Sequence, residues 1–173
     1  DNIIYTEIRF APLEHTRQKL SAEEVVSAVN EAVSQQTAQT DIEAGIILCT
    51  LRNFSKDQSM QTVKLVEQFE GTNVVGFDIA ADEAGYPIDN HVAAFGYAYE
   101  KGLNCTAHAG EARGPESVRE TLDNFKPSRI GHGVRSAEDR ELIERLKEQN
   151  IHLEICPTSN IQTNVYETIT DHT

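Results

Sequence analysis

Short apolar runs alternate with amphipathic helical patterns along the whole sequence, and this alternation constrains the fold more than any other feature. Five predicted helices separate six predicted strands, each with the length of a buried parallel strand. Because strands joined by helical crossovers run parallel, the order βαβαβαβαβαβ predicts a parallel α/β sheet. The predicted strands are 3–10, 45–51, 74–79, 104–108, 129–133 and 151–156.

Several helix ends can be assigned from the sequence. Ser21 and Glu24 form a capping box before an apolar stripe, and Gly102 has the position of a left-handed helix cap. Pro115 follows Gly114 at a first helical position, where its fixed φ is tolerated. We expect the fifth helix to begin at Ser136.

Polar residues follow every predicted strand. A doubly wound sheet collects its ligand at one switch point, whereas a (β/α)₈ barrel builds its site from all strand ends at one face. The pattern therefore predicts an α/β fold of the TIM (β/α)₈ type, with about six parallel strands, as a single incomplete barrel domain over residues 1–173. The polar exits are 9–12, 52–53, 78–83, 108–111, 131–133 and 157–160.

Charge and composition exclude several function classes. The net charge is −13, from 15 Lys and Arg against 28 Asp and Glu, and such a field repels the backbone of a nucleic acid. The sequence has no apolar run near the ~20 residues of a membrane span, and its first residues lack the features of a signal peptide. Three widely spaced cysteines in apolar runs indicate buried thiols and a reducing cytoplasm.

The stretch Thr106 to Glu111, TAHAGE, predicts a site. His108 ends a strand, Gly110 permits a tight turn, and Glu111 then lies over the same barrel mouth. His132 ends the next strand between two glycines. One such histidine is more commonly a packed or surface residue, but two at consecutive strand ends predict a metal site, with His108 as ligand. We assign the other four histidines to packing or surface roles: His15, His91, His152 and His172.

Five blocks of this sequence, in order, resemble the motifs of adenosine deaminases and look closest to bacterial members. TAHAGE at 106–111 is similar to that family's main signature, and RIGHG at 129–133 to its next motif. The other blocks are YTEIRFAP at 5–12, VGFDIAADE at 75–83 and LEICPTSNIQ at 153–162.

The resemblance implies a zinc-dependent amidohydrolase that deaminates adenosine and deoxyadenosine to inosine and deoxyinosine. In such a family His108 would be a zinc ligand, and zinc would convert its bound water to hydroxide. Glu111 would donate a proton to purine N1, and His132 would orient the hydroxide and act as base or electrostatic stabiliser. Ala81 stands where the family has a glycine whose N–H contacts the purine. A positive φ would strain an alanine there.

Two family motifs have no counterpart here. The family's first strand carries His-x-His and its last carries Asp-Asp, which supply the remaining zinc ligands and a purine contact. We therefore expect this chain to be an internal piece of a deaminase, lacking the first and last barrel strands. Alone it should neither deaminate adenosine nor hold zinc tightly, and its open barrel edges should self-associate.

Three other interpretations are open at this stage. A related purine deaminase would act on adenine, AMP or N6-substituted substrates; the acidic balance argues against a phosphorylated one. A catalytically dead barrel would act as a binding module, although it would have no reason to keep His108, Glu111 and His132 together. An unrelated open α/β nucleotide-binding domain would show no such cluster.

Overall fold

The computed structural model describes residues 2–172 and has six strands and six α-helices within that range. Three short 3₁₀ helices lie at Pro12–His15, Arg17–Lys19 and Val134–Glu138. The regular elements, in chain order, are β1 (Tyr5–Phe10), α1 (Ala22–Thr37), β2 (Glu43–Leu51), α2 (Lys56–Gln68), β3 (Val74–Ala80), α3 (Val92–Lys101), β4 (Thr106–Ala109), α4 (Pro115–Phe125), β5 (Arg129–His132), α5 (Arg140–Glu148), β6 (His152–Glu154) and α6 (Pro157–Gln162).

All strand pairs are parallel and follow the chain order. β1, β2 and β3 form one three-stranded sheet, and β4, β5 and β6 form another. The two sheets meet where the N–H of Phe77 on β3 donates to the carbonyl of Asn104, 2.9 Å away, just before β4. The prediction of about six parallel strands with intervening helices, as part of a barrel, is confirmed, with strand boundaries within two residues.

Most predicted helix ends are also confirmed. Ser21 forms the predicted capping box, Pro115 is the first residue of α4, and Gly102 caps α3 with φ +70°. The start of α5 was predicted wrongly. That helix begins at Arg140 because Asp139 caps it, its side chain accepting the N–H of Leu142, while Ser136 lies in the preceding 3₁₀ helix. Helix α6, within the predicted exit loop of β6, was not foreseen.

The apolar core lies between the strands and the helices. Phe77, Phe95 and Phe125 stack at its centre, with the Phe95 and Phe125 rings 3.8 Å apart. Cys49 and Cys105 are buried free thiols, as expected, whereas Cys156 is only half-buried. Within residues 2–172, every helix is too short or too polar to span a bilayer.

Candidate active site

The structure brings His108, His132 and Glu111 together at one end of the strands. β4 and β5 pair in register so that Ala109 lies opposite His132, which sets the two histidines side by side. Their ring centroids are 5.3 Å apart. The loop after β4 then brings Glu111 to His132, with its Oε2 3.6 Å from His132 Nε2. The sequence-predicted cluster therefore exists as a spatial unit.

Backbone geometry around the two histidines depends on small residues. Gly131 pairs with His108, and a Cβ there would lie 3.0 Å from the His108 ring, so the missing side chain makes room for His108 rather than for His132. Gly110 has φ +67° and would place a Cβ 2.5 Å from Val118. His132 itself has φ +61°, a left-handed conformation that is uncommon outside glycine and clusters at functional sites.

His132 is oriented by a residue that sequence analysis missed. Asn160, fully buried on α6, accepts a hydrogen bond from His132 Nδ1 through Oδ1 at 2.7 Å. The Asn160 amide nitrogen lies 2.9 Å from Nε2 of His172. An amide oxygen cannot donate, so this pairing assigns the proton to His132 Nδ1. With its hydrogen on Nδ1, the neutral tautomer of His132 has a lone pair on Nε2, the nitrogen that faces Glu111.

His108 is held by charged groups of both signs. Asp78 Oδ2, from the end of β3, lies 3.0 Å from His108 Nδ1, and Arg9 Nη1 lies 3.3 Å from Nε2. Burial disfavours the imidazolium, but the carboxylate of Asp78 more than offsets it, so the pKa of His108 is raised. Asp78 also pairs with Arg9 at 3.1 Å.

Arg9 belongs to an ionic network that links β1 to β5 and β6. Its Nη2 lies 2.5 Å from Glu154 on β6, and Glu154 also pairs with Arg129 at 3.2 Å. Arg129 reaches back to Glu7 on β1 at 2.7 Å. The sequence signal for this network was the spacing of Glu7 and Arg9, two opposite charges on one face of a predicted strand. The network ties the outer strands β1 and β6 together.

Glu83 is the second residue whose part sequence analysis missed. Only 4% exposed, it accepts the backbone N–H groups of the four consecutive residues 110–113. The hydroxyl of Ser117 donates a fifth hydrogen bond. Burial works against the charge of Glu83, but these hydrogen bonds outweigh it and lower its pKa. Glu83 is therefore a buried, fully hydrogen-bonded carboxylate rather than a solvated one.

Ala81 lies beside the same cluster, at the exit of β3. Its φ is +78°, so the methyl group occupies a backbone conformation that favours glycine, which is the strain foreseen from the sequence. A cavity of about 480 Å³ opens here, and Ala81, Glu111, Arg135 and Thr163 contribute to its lining. The hydroxyl of Thr163 donates to Glu111 Oε1 at 3.3 Å.

Metal-ligand chemistry is only partly supplied by the described residues. No group of three or more His, Cys, Asp or Glu side chains suited to a metal occurs within residues 2–172. His108 and Asp78 offer a nitrogen and a carboxylate of the kind zinc prefers, but a catalytic zinc site takes at least three protein ligands. These residues alone do not make a complete zinc site.

The parallel strands with a histidine and carboxylate cluster at their carboxyl ends define an amidohydrolase-type α/β fold. The family model "Adenosine deaminase" matches residues 1–173, and the chain belongs to that family. It is 36% identical over 171 residues to an adenosine deaminase of Clostridium kluyveri, covering 99% of this chain and 49% of the relative. It is also 36% identical over 172 residues to an adenine deaminase of Mesorhizobium japonicum, covering 99% and 53%.

Solved structures show the same fold. The crystal structure of an adenine deaminase from Arthrobacter aurescens matches 98% of this chain and 51% of its own, with TM-score 0.88 and 27% identity. The Arabidopsis protein ADAL in complex with IMP matches 99% and 52%, with TM-score 0.87 and 30% identity. The chain spans about half the length of the curated relatives it matches.

Proposed function

We propose that a longer protein containing this chain hydrolyses adenosine and deoxyadenosine to inosine and deoxyinosine, releasing ammonia. The observation that carries the proposal is the convergence of His108, His132 and Glu111, with Glu111 Oε2 3.6 Å from His132 Nε2. Deamination at purine C6 needs a group that protonates ring N1 and a group that handles the proton of the attacking water. The cluster offers one of each.

Glu111 is proposed as the acid. In its protonated form it would donate to N1, which makes C6 more electrophilic as water adds. His132 is proposed as the acceptor of the water proton, because its Nδ1–H is committed to Asn160 and its Nε2 is available. His132 then delivers this proton to the exocyclic nitrogen, which leaves as ammonia, while the hydroxyl proton on C6 passes to the Glu111 carboxylate as the C6 carbonyl forms. Thr163 donates to Glu111 and limits the positions that its carboxyl group can adopt.

Ala81 is proposed as the residue whose backbone N–H contacts the purine. It stands on the wall of the cavity that also holds Glu111. Its left-handed backbone is held in place despite the cost to alanine, which is typical of positions under functional constraint.

Zinc is proposed as the cofactor of the longer protein, with His108 as one ligand. When bound, zinc lowers the pKa of its water and so supplies hydroxide near neutral pH. The remaining ligands would come from outside this chain. We therefore propose that the isolated chain neither holds zinc tightly nor deaminates adenosine. Metal analysis and an adenosine assay on the isolated chain test this; turnover with one zinc per chain refutes it.

Adenine is the second candidate substrate. The Mesorhizobium relative named adenine deaminase is as similar to this chain as the Clostridium adenosine deaminase. The Arabidopsis structure with IMP adds AMP-type nucleotides to the substrates that need testing. Rates of the longer protein on adenosine, deoxyadenosine, adenine, AMP and N6-methyl-AMP decide among them. Activity on none of these would favour a binding module without catalysis.

The residues encoded on either side of this chain provide an independent test. His-x-His before Asp1 and Asp-Asp after Thr173 would complete the ligand set that the proposal requires. We also propose a cytoplasmic purine-nucleoside enzyme that binds neither nucleic acid nor membrane.

Tyr5 and Ile8 on the outer strand β1 are 51% and 45% exposed. Because such edges pair, we propose that the isolated chain self-associates, which light scattering after size exclusion would detect.

A further inference from the structure

We propose that Glu83 is a positioning residue. It fixes the loop after β4, which carries Glu111, against the loop after β3, which carries Ala81. The carboxyl group of Glu111 and the backbone N–H of Ala81 thereby keep their spacing. This inference rests on the proposed function, since it concerns how Glu111 is presented to a purine. Glu83 lies two residues beyond Ala81 in the loop after β3. Its hydrogen bonds all go to the loop after β4 and the first turn of α4.

The contacts of Glu83 use both carboxylate oxygens. Oε1 accepts the N–H of Gly110 at 2.7 Å and the hydroxyl of Ser117 at 2.5 Å. Oε2 accepts three further N–H groups, of Glu111 at 3.0 Å, Ala112 at 2.7 Å and Arg113 at 2.9 Å. A single side chain therefore holds four consecutive amides, including the amide of Glu111 itself.

Only an ionised carboxylate suits this position. Five donors converge on two oxygens, and an ionised carboxylate accepts at every lone pair without offering a hydrogen of its own. Glutamine would turn an N–H₂ group toward backbone N–H groups. A shorter aspartate would leave some of these amides without partners, and a buried N–H without an acceptor is destabilising. The residue type is thus explained by the donors it faces.

The same contacts define what Glu83 would do for catalysis. The hydrogen bonds to the four amides of residues 110–113 fix the backbone of Glu111. Ala81 lies two residues before Glu83 in the loop after β3, so the same side chain also limits the position of Ala81 relative to Glu111. A displacement of about 1 Å at a reacting group can cost on the order of 10²-fold in rate. Loss of the Glu83 contacts should therefore lower kcat through Glu111 more than it weakens purine binding.

The test uses Glu83→Gln in the longer metal-loaded protein, with Glu116→Gln as matched control. Glu116 is an exposed glutamate beside the same loop that accepts one N–H, that of Gly114. We expect Glu83→Gln to lower kcat about 10²-fold with KM changed less than about threefold, and Glu116→Gln to change neither. Ser117→Ala removes one of the five hydrogen bonds and keeps the charge. It should lower kcat a few-fold, which keeps the test valid if Glu83→Gln fails to fold.

Amide hydrogen exchange over residues 110–113 provides a readout that does not depend on the reaction. We expect faster exchange there in Glu83→Gln and Ser117→Ala, and wild-type exchange in Glu116→Gln. Faster exchange with unchanged kcat would overturn the positioning role and leave Glu83 a purely structural residue. Unchanged exchange in Glu83→Gln would show that the Glu83 side chain does not hold the amides of residues 110–113, and would overturn the inference. A wild-type protein inactive on every purine tested refutes the proposed function instead, whatever the exchange shows.

Discussion

His132 Nδ1 lies 2.7 Å from the side-chain oxygen of Asn160, and this one contact determines which ring nitrogen of His132 faces Glu111. Because Asn160 is fully buried, the contact is shielded from competition by water. The same hydrogen bond also joins α6, which follows β6, to the end of β5. The availability of His132 Nε2 is thus a property of the fold rather than of His132 alone.

Replacing Asn160 with alanine should lower kcat about tenfold, since a lost hydrogen bond that leaves a buried donor unpaired costs about 1–3 kcal/mol. His132 would then be free to place its proton on either nitrogen. The matched control is His172→Ala, which removes only the partner on the other side of the Asn160 amide. Equal losses in both variants would contradict a specific role for the contact with His132.

Replacing Ala81 with glycine should relieve the strain of its φ of +78°. A left-handed backbone conformation costs alanine about 1–2 kcal/mol, and glycine avoids this cost. Glycine also raises the conformational entropy of the unfolded chain, which lowers the stability by about 0.4–1 kcal/mol. We expect the free energy of unfolding of Ala81→Gly, measured by urea denaturation, to exceed the wild-type value by up to about 1 kcal/mol. Ala80→Gly, at the end of β3, is the control and should destabilise; a destabilised Ala81→Gly variant would contradict the assignment of strain.

A methyl group at Gly131 should disturb the site without unfolding the core. The added Cβ would lie 3.0 Å from His108 Cγ and Nδ1, so the imidazole has to move. We expect Gly131→Ala to lower the activity and zinc content of the longer protein. Gly96→Ala, in α3, meets nothing within 4 Å and should instead stabilise by about 1 kcal/mol. Full activity and zinc content in Gly131→Ala would show that the position of His108 does not depend on this contact.

The lowered pKa of Glu83 predicts an acid-sensitive loop. A carboxyl group whose pKa is lower folded than unfolded adds stability above its unfolded pKa of about 4.5, and this is lost as pH falls through the folded value. The charge of Arg52 also lowers the pKa of Glu83, and Arg52 stays protonated in this range. Amide exchange at 110–113, relative to the intrinsic rate at each pH, should therefore accelerate in the wild type as pH falls below 4.5. An acceleration centred near pH 6 would point to a different group.

The strand ends and the main cluster could be predicted because they depend on local signals. Gly110 and Pro115 mark turns and a helix start in any context, and parallel pairing then brings His108 next to His132. Asn160 and Glu83 could not be assigned in this way. Their partners lie 28 residues away and 27 to 34 residues away in sequence, and nothing in a loop asparagine or glutamate reveals burial. Ser136 misled because serine commonly caps helices, whereas here Asp139 makes the capping bond.

The role of Glu111 as the acid is tested by the rate of adenosine deamination by the longer protein, with Glu111 intact and replaced by glutamine. The glutamine variant keeps the size of the side chain but cannot supply a carboxylic proton to purine N1. We predict robust turnover in the wild type and a loss of about 10²–10⁴-fold in kcat, with unchanged zinc content and thermal unfolding. A Glu111→Gln variant within a few-fold of a wild type that deaminates adenosine would show that Glu111 is not the acid.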